Sequence, residues 1–230
     1  MSSRPYRVLA VDDDEDILEL LEYNLLQEGY QVKITDDPLK AIAIAQTFVP
    51  HLILLDIMMP QKDGVETCRS LRKLPELDKS FIVFLTARSE EYSEVAAFEA
   101  GGDGFIHKPI KPRALMSRIR AILQREHSKN NKEAILVKAK GLVVDKSNYR
   151  AVVRDKTITL PKKEFELLFL LSSNPDTVYS REELLRQIWG ADVYVLSRTV
   201  DVHVRKIREK IGTEFIHTVK GVGYKFGGKV

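Results

Sequence analysis

Cysteine is nearly absent: Cys68 stands alone in 230 residues, so no intrachain disulfide can form. Such a chain is expected in a reducing compartment, with Cys68 a small core or boundary residue. No apolar run approaches the ~20 residues that a membrane-spanning helix needs. The opening MSSRPYRVLAVDD lacks the basic segment and long apolar stretch of a secretory leader. A cytoplasmic location is therefore expected. Internal repeats and low-complexity stretches are missing too. What is present is ordinary globular composition, 44% hydrophobic and 30% charged, on a chain long enough for two cores.

Charge is unevenly divided. Residues 1–126 hold 16 Lys+Arg against 21 Asp+Glu, and residues 127–230 hold 20 against 12. An acidic half joined to a basic half points to two different partners. The basic half is a candidate for nucleic acid.

The first half alternates short apolar runs with helix-period segments. The runs are Val8–Val11, Val32–Ile34, Leu52–Leu55, Phe81–Leu85 and Phe105–Ile106. Runs without polar alternation read as strands covered on both faces, hence parallel. Five of them predict an α/β domain with a doubly wound parallel sheet. Residues 1–125 are assigned to it. The polar segment Glu126–Ala134 reads as a linker, bounded at 126–133. From 134 to 230 the pattern changes to short β-rich runs, three helical patterns and a terminal hairpin around GVG.

The acidic residues of the first half are placed with a pattern. Asp12, Asp13, Asp56, Thr86 and Lys108 each follow an apolar run. In a doubly wound sheet that is the carboxyl edge, where ligands bind. Crowded carboxylates repel unless a cation joins them, and hard oxygen donors in an open site suit Mg²⁺. A carboxylate beside such a cation is a nucleophile for a phosphoryl group; a lysine and a hydroxyl would hold the phosphoryl oxygens. Helix capping explains any one of these acids but not the joint placement. Lys108-Pro109 suggests a cis peptide.

VDDD, LLDIMMPQKDG, LTAR and HKPI together resemble a response-regulator receiver domain, flavodoxin-like in fold. The resemblance implies Asp56 as phospho-acceptor, with a sensor histidine kinase as donor. It implies a Mg²⁺ site with ligands from Asp13, Asp56 and the backbone carbonyl of Met58, and Asp12 helping through water. Thr86 and Lys108 would contact the phosphoryl group and Phe105 would be the aromatic switch. Such a protein is a phospho-acceptor and not an enzyme beyond self-phosphorylation and autodephosphorylation. Asp12-x-Asp14 also resembles the start of an aspartyl-nucleophile phosphatase. That motif wants Thr or Val where Asp16 stands, and it leaves Asp56–Gly64 unexplained.

Helical phase over Ser197–Ile211, at about 100° per residue, gathers Val200, Val204, Ile207 and Ile211 into one stripe, the core face. Val202, Arg205, Lys206 and Glu209 lie opposite. Positive charge dominates that outer face, and Val202 within it suits a thymine methyl in a major groove. Ser197 is a candidate N-cap and Gly212 a C-terminal glycine. The preceding helix opens with a capping box, Ser180-x-x-Glu183. Helix, loop, basic helix and hairpin make a helix-turn-helix with a wing.

REELLRQIWG, SRTVDVHVRKIREKIG and FIHTVKGVGYKF resemble the α+β winged-helix effector domain of the OmpR/PhoB subfamily. The resemblance implies promoter DNA as partner, at direct repeats. Arg198, His203, Arg205, Arg208 and Tyr224 would contact phosphates, with Thr218 also at the interface. Val202, Lys206 and Lys220 would face bases or grooves. Loop 190–197 would meet RNA polymerase. Lys206 and Lys220 stand where arginine is usual, and lysine lacks the bidentate fork that reads guanine.

The resemblance further implies a homodimer when phosphorylated, after Thr86 moves and Phe105 turns inward. Its face would include Asp103, Ile110, Leu115, Arg118, Ile119 and Arg125. Here the sequence departs from the family: Glu94, Gly104 and Ala114 remove two of its charge pairs, leaving Asp103 with Arg125. A weaker, more hydrophobic or differently registered dimer is expected, involving Ile110, Leu115 and Ile119. An alternative regulator would bind DNA independently of phosphorylation.

Overall fold

The computed structural model describes residues 5–59, 63–86, 91–109, 111–128, 136–139, 141–146, 149–190 and 198–227, without the side chains of 91–94, 124–128, 136, 138 and 139. Two compact units result, Met1–Asn131 and Lys132–Val230.

The first unit alternates strand and helix: β1 (Arg7–Val11), α1 (Glu15–Gln27), β2 (Gln31–Thr35), α2 (Pro38–Phe48), β3 (Leu52–Asp56), α3 (Gly64–Leu71), β4 (Phe81–Thr86), α4 (Glu91–Glu99), β5 (Gly104–His107) and α5 (Pro112–Ser128). A 3₁₀ turn, Pro75–Leu77, precedes β4. The sheet order is β2-β1-β3-β4-β5, and every pairing is parallel. Every residue of β3 and β4 is buried, as unalternating apolar runs require. β2 is one of the two edge strands and exposes Gln31 and Lys33. One core cluster joins Val8, Ala10, Leu52, Leu54, Val83 and Leu85 to α1 and α5. Each such apolar side chain contributes roughly 1.5–3 kcal/mol.

Cys68 is fully buried. α5 runs through Ser128, so residues 126–128, read from sequence as linker, are helix.

The second unit holds β6 (Leu136–Ala139), β7 (Leu142–Asp145), β8 (Arg150–Val153) and β9 (Lys156–Thr159), an antiparallel four-stranded sheet. Then come α6 (Lys162–Ser173), β10 (Tyr179–Ser180), α7 (Arg181–Ile188), α8 (Arg198–Ile211), β11 (Ile216–Val219) and β12 (Gly223–Phe226). The last sheet is ordered β10-β12-β11. The Ser180–Glu183 capping box opens α7. Val200, Val204, Ile207 and Ile211 are buried along α8. Gly212 follows at φ +104°, its N–H bonded to Arg208 O, the left-handed exit that glycine adopts without strain. Ser197, Ile110 and the residues of loop 190–197 beyond Gly190 lie outside the described residues. No described helix is long and apolar enough to cross a membrane.

Candidate functional site

The chain reverses direction around β1, which pairs with β2 on one side and β3 on the other. The crevice between the ends of β1 and β3 is the topological switch point, and Asp12 and Asp56 stand there. Lys108 Nζ lies 2.7 Å from Asp12 Oδ2 and 2.8 Å from Asp56 Oδ1. Its backbone N–H bonds Thr86 O at 2.6 Å, joining the ends of β4 and β5. The Lys108–Pro109 bond is cis. Met58 N–H donates to Asp56 Oδ2 at 2.8 Å, which fixes the Asp56 carboxylate from its other side. A Cβ at Gly64 would collide with the Asp56 carbonyl, so only glycine lets α3 begin this close.

The acids divide by role. Asp14 caps α1, accepting from Asp16 and Ile17 N–H. Asp12, Asp13 and Asp56 cluster, with one carboxylate oxygen of each within 4.8 Å of the others. Asp12 and Asp56 are buried and Asp13 is exposed. Burial raises the Asp12 pKa above its ordinary 3.8; Lys108 opposes this and the Asp56 charge adds to it. Burial works against the Lys108 ammonium, but its bonds to Asp12 and Asp56 and their charges prevail and raise its pKa. Asp12 and Asp56 share one ammonium and Asp13 adds a third carboxylate beside them, so the cluster has a deficit of positive charge. Oxygen donors with one exposed member fit a hard divalent cation that keeps several waters.

Thr86 is buried at the same edge. Phe105 is already turned inward and buried, stacked 5.5 Å from Phe84 and edge-on 5.0 Å from Phe98. An aromatic ring without a hydroxyl gains nothing by facing water.

The expected dimer face is altered in three places. Leu115 and Ile119 belong to the core cluster and are not surface residues; α5 needs them to cover the sheet. Asp103 is also buried, paired with Arg72 at 2.6 Å. Arg118 is half-buried, and the Arg125 side chain lies outside the described residues.

In the second unit the outer face of α8 carries Arg198 and Arg205, both exposed, and Val202 and Lys206, both half-buried. Arg205 pairs with Glu209 at 3.1 Å, an exposed pair contributing only about 0.3–0.5 kcal/mol. Thr218 and Lys220 are exposed on the hairpin. Arg208 donates to Ile216 O and Thr218 Oγ1, fastening the hairpin to α8.

His203 and Tyr224 differ from expectation, since both are buried. His203 Nδ1 meets Thr199 O at 2.9 Å, and its ring packs edge-on to Trp189 at 4.9 Å. Helical phase put His203 on a flank; the Trp189 ring, just past the end of α7, covers that flank. Tyr224 lies on the central strand of its sheet and donates to Asp201 Oδ1 at 2.7 Å. Burial first, then Asp201, raises its pKa above 10.0. Sequence reading did not single out Arg181, whose Nε donates to Asp201 Oδ1 at 2.7 Å. A cation in the first turn of a helix opposes the dipole, and that misfit was the available signal.

A parallel five-stranded sheet with this acidic edge, ahead of a helix-turn-helix unit with a hairpin, defines a signal-receiving transcription regulator. The response regulator receiver domain matches residues 8–120, and the C-terminal domain of transcriptional regulatory proteins matches 155–226. DrrB of Thermotoga maritima, an OmpR/PhoB homologue, is 32% identical over 97% of this chain and all of that one, with a TM-score of 0.47. A putative response regulator from Chloroflexus aurantiacus is 32% identical over 53% of this chain and all of its own, with a TM-score of 0.50. A point mutant of RitR is 24% identical over 97% of this chain and all of its own, with a TM-score of 0.77, a likeness of fold. The chain belongs to the OmpR/PhoB-type response regulators, two-component transcription factors.

Proposed function

We propose that phosphorylation of Asp56 by a sensor histidine kinase promotes dimerisation and promoter binding by this chain. The carrying observation is Lys108 bridging Asp12 and Asp56. Asp56 Oδ1 would attack phosphorus, the leaving group departing opposite with the electron pair of the bond that breaks. Lys108 then moves from a carboxylate to a phosphoryl oxygen, and Thr86 offers its hydroxyl to another. Asp12, Asp13, Asp56 and the Met58 carbonyl would hold Mg²⁺, whose contribution is to neutralise phosphoryl oxygens. Chemistry at Asp56 goes no further than acceptance and release of the phosphoryl group. Arg198, Arg205, Arg208 and Thr218 supply phosphate contacts, and Val202, Lys206 and Lys220 face bases or grooves at direct repeats. Residues 190–197 meet RNA polymerase.

A second reading is DNA binding independent of phosphorylation. Two observations favour it: Phe105 is already inward, and Asp103 is committed to Arg72. A small phosphodonor should add a phosphoryl mass to the wild type and not to Asp56→Ala. Operator affinity is then measured with and without the modification at one stated salt concentration. A rise on phosphorylation supports the first reading; equal affinities support the second.

A further inference from the structure

Two guanidinium groups flank one buried ring at the junction of α7, α8 and the hairpin. Arg181 Cζ lies 5.1 Å from the Tyr224 ring centroid and Arg208 Cζ 5.7 Å. Asp201 Oδ1 accepts from both Arg181 Nε and the Tyr224 hydroxyl, each at 2.7 Å. Arg181 is the first residue of α7, where the helix dipole disfavours a cation. It is nonetheless held in one place by a carboxylate and an aromatic face. A guanidinium carries five N–H donors, and the Nε bond to Asp201 uses one. The side chain remains 27% exposed, on the element that precedes the basic helix.

We propose that Arg181 contacts the DNA backbone, and that Asp201 and Tyr224 are positioning residues that aim its guanidinium at a phosphate. The assignment rests on reading this unit as a DNA-binding domain. Arg208, across the same ring, fastens α8 to the hairpin at Ile216 and Thr218. The cluster therefore fixes Arg181 relative to every element of the reading surface. Planar, forked donors suit a phosphate, and a pre-aimed guanidinium loses less freedom on binding.

The test uses the full chain and a duplex that the wild type selects from a random pool, titrated over a range of salt. Arg181→Ala should weaken binding about tenfold without changing sequence preference, and should reduce the magnitude of the log–log salt slope by about 0.9. Arg181→Lys should keep the wild-type slope with intermediate affinity. Asp201→Ala separates position from charge. Removing a negative charge tightens DNA binding if charge alone matters; loss of positioning weakens it. Asp201→Asn, close in shape, should move in the same direction by less, and a thermal melt identifies any variant that fails to fold. Wild-type affinity and slope in Arg181→Ala, or tighter binding by both Asp201 variants, would overturn the assignment. Failure of the wild type to select any duplex would overturn the DNA-binding reading itself, and Arg181 with it.

Discussion

Arg72 Nη2 and Asp103 Oδ2 meet at 2.6 Å with both side chains almost fully removed from solvent. The same Asp103 oxygen accepts the Ile82 N–H at 2.8 Å. Arg72 also donates to the carbonyls of Gly101, Leu77 and Ser80. The pair therefore ties α3, the 3₁₀ turn and β4 to the loop that enters β5. Removing one partner leaves a buried charge uncompensated, at a cost of about 3–5 kcal/mol. Arg72→Ala and Asp103→Ala should each lower the urea midpoint of the receiver unit accordingly. A normal midpoint in Asp103→Ala, with dimerisation lost, would put Asp103 back on the surface.

Because Asp103 is held by Arg72, it is not available to Arg125 of a second copy. Association of the beryllofluoride-treated chain should be weak and unchanged by Arg125→Ala in sedimentation. Leu115→Ala and Ile119→Ala should instead destabilise the fold by about 2–5 kcal/mol each, since both fill the core. A dimer abolished by Arg125→Ala alone would show that Asp103 leaves Arg72 on activation.

Asp12 gives a prediction whose sign follows from burial. Its folded pKa is raised above 3.8, so its favourable contribution is present below 3.8 and is lost as pH rises through the folded value. At neutral pH the ionised carboxylate therefore costs stability. Without added metal, Asp12→Asn should raise the melting temperature, by roughly 4 °C per kcal/mol relieved. Added Mg²⁺ should raise that of the wild type and have little effect on Asp12→Asn. A lower melting temperature for Asp12→Asn would mean that its bond to Lys108 outweighs burial.

The receiver sheet and its acidic edge were legible because strands covered on both faces are written as unbroken apolar runs, and the site residues fall just after them. β1, β3 and β4 follow that rule closely. The two-residue β10 carries no period to detect. Arg72 and Asp103 are distant in sequence, and nothing local to either names its partner. Helical phase sorted α8 correctly for Val200, Val204, Ile207 and Ile211, because that stripe faces its own unit's core. It did not foresee the burial of His203, since Trp189 arrives from the end of α7. The burial of Tyr224 went unforeseen for a related reason: its hairpin gains a third strand, β10, which makes β12 central.

Lys206 and Lys220 decide how strictly the operator is read. A bidentate arginine–guanine contact discriminates by about 1–3 kcal/mol. A lysine ammonium is a compact charge on a flexible stem and has no fork. Half-buried Lys206 lies on the outer face of α8, and Lys220 is exposed on the hairpin. Binding-site selection with the wild type should therefore return tolerant positions opposite both. Lys206→Arg should sharpen the matching position toward guanine while the salt slope stays the same, because the charge count is unchanged. A near-invariant guanine opposite Lys206 in the wild-type selection would show that Lys206 is held rigidly enough to read one base.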